Sequence, residues 1–167
     1  IYPDFGKIWL LLLHKIEKTL QYSKYYNKKN ELGRASGHVK LVDTLNRVII
    51  EGNKAEKSSN PPRTFVTGRI LVTRILDNDS FYLTADTLRT LYNDTGGYKY
   101  MIGYPHAKIF NKEFSAICDS ISYSFTDSTI HLDKSPVLWF SDYQTTSVSI
   151  VIMLKNEQIW KAVLTSN

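Results

Sequence analysis

The chain has 167 residues, 43% of them hydrophobic and 22% charged, which is the composition of an ordinary folded domain with one core. The net charge of +5 permits an anionic partner but does not demand one. The single cysteine excludes an intramolecular disulfide. The apolar run at 8–13 is far shorter than the ~20 residues of a membrane helix, so we expect a soluble chain.

The N-terminal part of the chain offers two ambiguous patterns. Residues 8–20 combine an apolar run with Lys/Glu pairs, which a short helix or a strand would both accommodate, and we favour strands. Residues 22–29 interleave basic and aromatic side chains, as in proteins that stack single-stranded nucleic acid. Lys and Arg are not concentrated elsewhere and Tyr in a strand usually packs, so we predict no nucleic-acid partner.

From about residue 39 onward, apolar and polar residues alternate in short segments. The alternation is clear at 39–41, 81–86, 107–109 and 148–154. Turn-forming residues interrupt these segments every 8–12 residues, and 57–63, with two prolines, reads as a flexible loop. This pattern predicts an all-β fold, in a sandwich, a barrel or a solenoid.

Two short phrases recur along the chain. A small residue, an acid and a polar residue begin at Ala55, Ala85 and Cys118, in steps of 30 and 33 residues. A second phrase interleaves with it at 37–41, 104–109 and 134–139. A period of about 30 residues is typical of stacked supersecondary units, which build a long surface or groove more often than a catalytic point.

Residues with chemical potential show no converging arrangement. We interpret Asp86 and Asp119 as hydrogen-bonding backbone or hydroxyl groups at strand ends, and Cys118 as a small core residue. The histidines His14, His38, His106 and His131 lack metal-ligand spacing, and the calcium-like Asp77-Asn78-Asp79 lacks the later ligands. The sequence therefore predicts no catalytic residues, no metal and no cofactor, and hence no enzyme.

Several phrases together resemble one known family. Residues 34–45 are similar to the A-x-G-x-V core of the OstA-like, or LptA, family of periplasmic lipopolysaccharide-transport proteins, and residues 81–88 to its ADTL strand. Residues 118–124, 127–130 and 134–139 resemble the CDSL-Y, DSTI and NPVLW phrases of its Bacteroidetes branch. The likeness spans about residues 20–164, while 1–19 match poorly.

The resemblance implies a single OstA-like domain over residues 1–167. Its expected fold is a repeat-built, curved two-sheet β-jellyroll of antiparallel strands, shaped like a taco with open edges. The implied function is that of a periplasmic carrier that holds the lipid A acyl chains of lipopolysaccharide in an apolar groove. The implied partners are other lipopolysaccharide-transport proteins of the same fold, or further copies of this chain joined edge to edge.

Residue parity within the strands predicts which side chains line such a groove: Val39, Leu41, Ile70, Val72, Phe81, Leu83, Ala107, Ile109, Phe114, Val137, Trp139, Ile150 and Ile152. The sequence does not separate a lined groove from a filled core. One alternative is therefore a non-enzymatic β-solenoid that binds a periplasmic protein or glycan. Another is a membrane-anchored relative whose β domain docks onto the transport bridge.

Overall fold

The computed structural model describes residues 23–27, 32–77 and 79–165. In these residues the chain forms fourteen β-strands. They are β1 (Ser23–Asn27), β2 (Leu32–Asp43), β3 (Val48–Ser59), β4 (Pro62–Ile75), β5 (Ser80–Tyr92), β6 (Tyr98–Tyr104), β7 (Ala107–Phe110), β8 (Phe114–Cys118), β9 (Ser120–Ser124), β10 (Thr129–Asp133), β11 (Val137–Phe140), β12 (Tyr143–Thr146), β13 (Ser149–Lys155) and β14 (Gln158–Thr165). The helix-or-strand alternative at 8–20 lies outside the described residues.

All fourteen strands belong to one antiparallel sheet that branches at β5. The second half of β5 pairs with β6, and the order continues through β9, β10 and β13 to β14. The first half of β5 pairs with β7, and this branch continues through β8 and β11 to β12. The branch through β6, β9, β10, β13 and β14, with the halves of β2 to β5 that continue it, is called the first layer. The branch through β7, β8, β11 and β12, with the other halves of β2 to β5, is called the second layer. The all-β, curved, two-layered prediction is confirmed.

A row of corners, which we call the crease, joins the two layers. The long strands turn there at register shifts: β2 between Ser36 and Val39, β3 between Glu51 and Lys54, and β4 between Thr67 and Ile70. Backbone with positive φ allows the bends, at Gly37 and Gly68 with little steric cost and at His106 between β6 and β7. The later strands are separate elements because their corners interrupt pairing altogether.

The recurring phrases of the sequence lie beside this crease. The Asp86 carboxylate accepts a hydrogen bond of 2.7 Å from Nδ1 of His106, and the Asp119 carboxylate accepts one of 2.8 Å from Lys134. An acid of the first phrase thus contacts a basic residue of the second phrase on the other side of a corner. The expected partners, backbone and hydroxyl groups, are replaced by these side chains, because successive corners bring the two phrases together.

The inner faces of the two layers pack against each other. Among the described residues, eleven Val, Leu and Ile side chains are almost fully buried: Val39, Val48, Ile50, Val66, Ile70, Leu88, Ile121, Ile130, Leu132, Ile150 and Ile152. Each such side chain contributes about 1.5–3 kcal/mol by leaving water. We call this filled part of the molecule the body.

The segment predicted as a flexible loop is instead a hairpin. Residues 57–59 complete β3, and Ser59 pairs with Pro62 across a two-residue turn. The prediction failed because Pro62 occupies the first position of β4, where its missing N–H removes no necessary bond of the ladder.

Candidate functional site

The two layers part at the C-terminal end of the sheet and leave an apolar cleft between them. We call this cleft the mouth; its volume is about 380 Å³. One wall is the inner face of β11 and β12, and the other is β14. The lining residues are Leu138, Phe140, Tyr143, Thr145, Ile159, Trp160, Lys161, Ala162 and Leu164.

On the first layer, the mouth begins where β13 gives way to β14. Ile150 and Ile152 of β13 are fully buried, and they pair with Leu164 and Ala162 of β14. Antiparallel partners point to the same face, so the β14 residues also point inward. Leu164 is nevertheless 45% exposed, because the cleft separates it from β11 and β12 of the second layer.

The second layer shows the same gradient along the β11–β12 hairpin. Leu138 is buried, while Phe140, two residues further on the same face, is 42% exposed. Its cross-strand partner Tyr143 is 77% exposed. A hydrogen bond of 2.9 Å from the Trp139 indole N–H to the Gln144 amide oxygen supports the hairpin from outside. The mouth is therefore lined by large apolar side chains that water reaches.

Two sheet edges flank the mouth. Within the described residues, β14 pairs only with β13, and β12 pairs only with β11. Each strand thus has one side whose backbone N–H and C=O groups lack a strand partner, which is a template for adding another strand. An apolar cleft between two such edges can accept an apolar ligand, an extended segment, or both.

Ten of the thirteen predicted lining residues lie buried in the body: Val39, Ile70, Val72, Phe81, Leu83, Ala107, Ile109, Phe114, Ile150 and Ile152. Leu41 is partly buried and packs against the same core. Val137 and Trp139 are placed wrongly by the prediction. They alternate with buried Leu138 and so lie on the outer face, where Val137 pairs with exposed Ile117. The corner at Lys134 and Ser135, both with positive φ, resets the alternation before β11.

The mouth residues themselves were not predicted. Leu164 and Ala162 share a face with Ile159 across a register shift, and this shift hides the alternation in the sequence. Phe140 and Tyr143 flank a polar turn and look like surface aromatics. Their exposure beside a cleft depends on where each layer ends, which a local pattern does not contain.

The edge opposite the crease, which we call the rim, carries a row of aromatic side chains. Ring centroids lie 5.1 Å apart between Tyr92 and Tyr98, 5.4 Å between Tyr98 and Phe125, and 4.6 Å between Phe125 and Tyr123. Burial, with the hydrogen bonds to Tyr92 and Asp43, raises the pKa of Tyr98 above its usual range. Because Asp43 belongs to the second layer, this contact closes the rim there.

The ionisable groups give no sign of a reactive centre in the described part of the chain. Burial raises the pKa of the Cys118 thiol to about 11, which disfavours the nucleophilic thiolate. Hydrogen bonds from Ser124 and Thr129 lower the pKa of Asp127, as in a turn carboxylate. Within the same residues no three His, Cys, Asp or Glu side chains come close enough to hold a metal ion. No helix capable of crossing a membrane occurs among them.

Comparison with known proteins gives a match at the level of structure. No protein-family model matches the sequence, and no match is found among curated protein sequences. The fold is similar to the crystal structure of LptH from Pseudomonas aeruginosa, described as the LptA-homologous periplasmic component of the conserved lipopolysaccharide transport device. The TM-score is 0.60 at 15% identity, over 68% of this chain and 82% of that chain. The shared property is the LptA-like fold.

Proposed function

We propose that this protein is a periplasmic lipopolysaccharide carrier that shields lipid A acyl chains during transport to the outer membrane. The observation that carries the proposal is the apolar mouth between two free strand edges. The LptA-like fold supports it, since LptH is described as part of a lipopolysaccharide transport device. On this proposal, residues 20–164 form one OstA-like domain of the Bacteroidetes branch, acting as a non-enzymatic bridge component.

The physical requirement for such a carrier is a continuous apolar surface. Each buried CH₂ contributes ~0.8 kcal/mol, so releasing a chain of about a dozen methylenes into water costs roughly 10 kcal/mol. The mouth supplies the first part of that surface, and we propose that the buried inward residues named above extend it when the layers separate. Transfer is then an exchange between similar apolar sites and needs no chemical step.

The free edges supply the means of assembly. A strand of another copy, or of a transport protein with the same fold, can pair with β14 or β12 and place its own interior beside the mouth. Edge pairing of this kind satisfies backbone groups and leaves the apolar track continuous. We propose that the bridge grows in this way, by edge-to-edge association.

The test uses two adjacent residues of β14. Leu164 faces the mouth and is 45% exposed, whereas Val163 faces outward and is 38% exposed. A photo-crosslinking amino acid at 164 is expected to capture purified lipopolysaccharide, and the same group at 163 is expected not to. Capture at 163 alone, or at neither position, contradicts the carrier function.

A second candidate function is a non-enzymatic scaffold for a periplasmic protein or glycan. The filled body and the strongly exposed Tyr143 and Trp160 favour it, because exposed aromatic residues commonly anchor such partners. With the photo-crosslinking group kept at 164, Ala162→Asp in the mouth distinguishes the two: it abolishes lipid capture by a carrier, whereas a scaffold captures no lipid and loses its protein or glycan partner on Tyr143→Ala. Lipid capture that survives Ala162→Asp therefore argues against a carrier that binds lipid in the mouth.

A further inference from the structure

Two inward-facing cations at the rim lack the carboxylate partners that several surface cations have. On the surface, Arg34 pairs with Glu56 at 2.8 Å and Arg47 with Asp77 at 2.6 Å. Among the described residues, neither Lys57 nor Arg74 lies within ion-pair distance of a carboxylate. They stand at the two ends of the aromatic row, each over a ring.

Arg74 reaches from the second layer to the first. It lies on the inner face of β4, two residues beyond buried Val72, and its guanidinium donates to the Tyr123 hydroxyl. The guanidinium carbon lies 4.8 Å from the Tyr123 ring centroid and 5.1 Å from that of Phe125. A guanidinium has five N–H donors, and a planar group of this kind matches phosphate or carboxylate oxygens.

Lys57 occupies the other end of the row, on the inner face of β3. Its ammonium nitrogen lies 5.5 Å from the Tyr92 ring centroid. Asp43 is the carboxylate that acts on it electrostatically, but the Asp43 oxygens already accept bonds of 2.9 and 2.8 Å from Asn46. Burial lowers the pKa of Lys57, so its charged form is under-compensated and an added anion would stabilise it.

The position of the two cations matches the boundary of an amphiphile. Aliphatic residues such as Val48 and Val72 fill the interior next to the row. The turns at 44–47 and 93–97, which follow β2 and β5, consist mostly of polar residues. We propose that Lys57 and Arg74 bind the acidic head group, a phosphate or a carboxylate, of an amphiphile whose acyl chains lie between the layers. This proposal rests on the carrier function. Because the body is filled, loading separates the rim, and each cation exchanges its ring for an anionic oxygen.

The experiment compares three probes below their micelle concentrations: dodecyl phosphate, dodecyl maltoside with the same chain and a neutral head, and inorganic phosphate. The wild-type protein is expected to bind dodecyl phosphate about tenfold more tightly than dodecyl maltoside, as a charge-assisted hydrogen bond predicts. Arg74→Met and Lys57→Met, which keep an unbranched apolar stem, are each expected to remove most of that preference. Lys54→Met, on the outer face of β3, is the matched control and is expected to keep it.

The outcomes separate this proposal from the carrier function. Equal affinity for the two dodecyl probes, or a preference unchanged in both variants, overturns the anion site and leaves the carrier intact. If neither dodecyl phosphate nor dodecyl maltoside binds, the carrier function is contradicted. Tight binding of inorganic phosphate alone shows a phosphate site without an amphiphile, and this also overturns the proposal.

A measurement on the unmodified protein covers the case in which a variant fails to fold. Dodecyl phosphate is expected to slow acetylation of the Lys57 amine at least severalfold, as read by mass spectrometry. In the presence of dodecyl maltoside, Lys57 is expected to be acetylated faster than in the presence of dodecyl phosphate. Lys54 acetylation serves as the internal reference. Equal protection of Lys57 by both probes indicates burial by the chain alone and contradicts recognition of the head group.

Discussion

The inner face of β13 is covered and the inner face of its neighbour β14 is open, although both strands present aliphatic side chains to the same side. Ile152 is fully buried, whereas Leu164, on the adjacent strand, is 45% exposed. The two residues differ in what lies opposite, since the second layer ends at β12. Alternation therefore sets the direction of a side chain, while topology decides whether another layer covers it.

The body and the mouth therefore use one surface chemistry for two purposes. In the body, the contact of two apolar faces stabilises the fold. In the mouth, the same kind of face remains available to a ligand, at the cost of exposed apolar area. Substitutions of one type should consequently change different properties in the two regions: the free energy of unfolding in the body, and ligand binding in the mouth.

The largest expected difference comes from truncation of matched residues. Ile152→Ala removes a fully buried side chain and should lower the free energy of unfolding by about 2–5 kcal/mol. Leu164→Ala, in the mouth, should lower it by less than ~1 kcal/mol, because the side chain is half in water. Urea denaturation of both variants provides the measurement. A Leu164→Ala cost equal to that of Ile152→Ala would mean that the mouth is closed in solution.

Added bulk, like truncation, should damage the body more than the mouth. At the crease the layers approach closely. A Cβ on Gly52 would lie 2.5 Å from Cγ1 of Val66, a fully buried side chain. Gly52→Ala should therefore destabilise the protein by about 1–3 kcal/mol. Ala162→Leu adds more volume, but into the mouth, and should leave stability within ~0.5 kcal/mol. Thermal or chemical denaturation measures the stability of both variants. A larger loss of stability in Ala162→Leu than in Gly52→Ala would contradict the prediction.

The orientation of most body strands was predictable because their alternation is uninterrupted. Phe81 and Leu83 of β5, and Ile150 and Ile152 of β13, lie inward as period-2 alternation requires. The same reasoning failed at Val137 and Trp139, since the preceding corner changes the phase. The inward position of Lys57 was missed for another reason. Alternation from Ala55 directs Lys57 inward, but a charged residue is expected at the surface when only the sequence is known.

The mouth itself lay beyond local sequence reasoning for a physical reason. Whether Phe140 or Leu164 is covered depends on pairings between strands far apart in the chain, such as β8 with β11 and β10 with β13. These pairings set how many strands each layer has. The resemblance to an LptA-like fold pointed to open edges, but the residues that line the mouth became visible only once the two layers were placed together.

Thiol reactivity gives a smaller but direct contrast between the two regions. Cys118 lies at the crease, where burial raises its pKa to about 11, so its alkylation at pH 8 should be at least about tenfold slower than that of a cysteine at Thr145→Cys in the mouth. Iodoacetamide labelling followed by mass spectrometry measures both rates. The Cys118 rate should rise as the pH approaches 11. Equal rates at pH 8 would show that the crease opens as freely as the mouth.

The same raised pKa has a consequence for stability in alkali. The unfolded thiol loses its proton near pH 8.5, while the folded thiol retains it to about pH 11, so the folded state binds more protons between these values. Its contribution to stability is complete below about pH 8.5 and is lost as the pH rises towards 11. Cys118→Ala should remove this part of the alkaline decline, whereas the Thr145→Cys variant should add none.

The smallest expected effects come from the ion pairs beside the crease. The carboxylate of Asp86 and the ring of His106 are 59% and 78% exposed, so water and salt screen their attraction. Asp86→Asn and Asp119→Asn should therefore leave the denaturation midpoint unchanged within experimental error. If either substitution instead lowered the midpoint as much as Gly52→Ala does, the recurring acids would determine how the corners fold. The body would then depend on its charged crease as well as on its aliphatic interior, and the contrast with the mouth would no longer rest on apolar coverage alone.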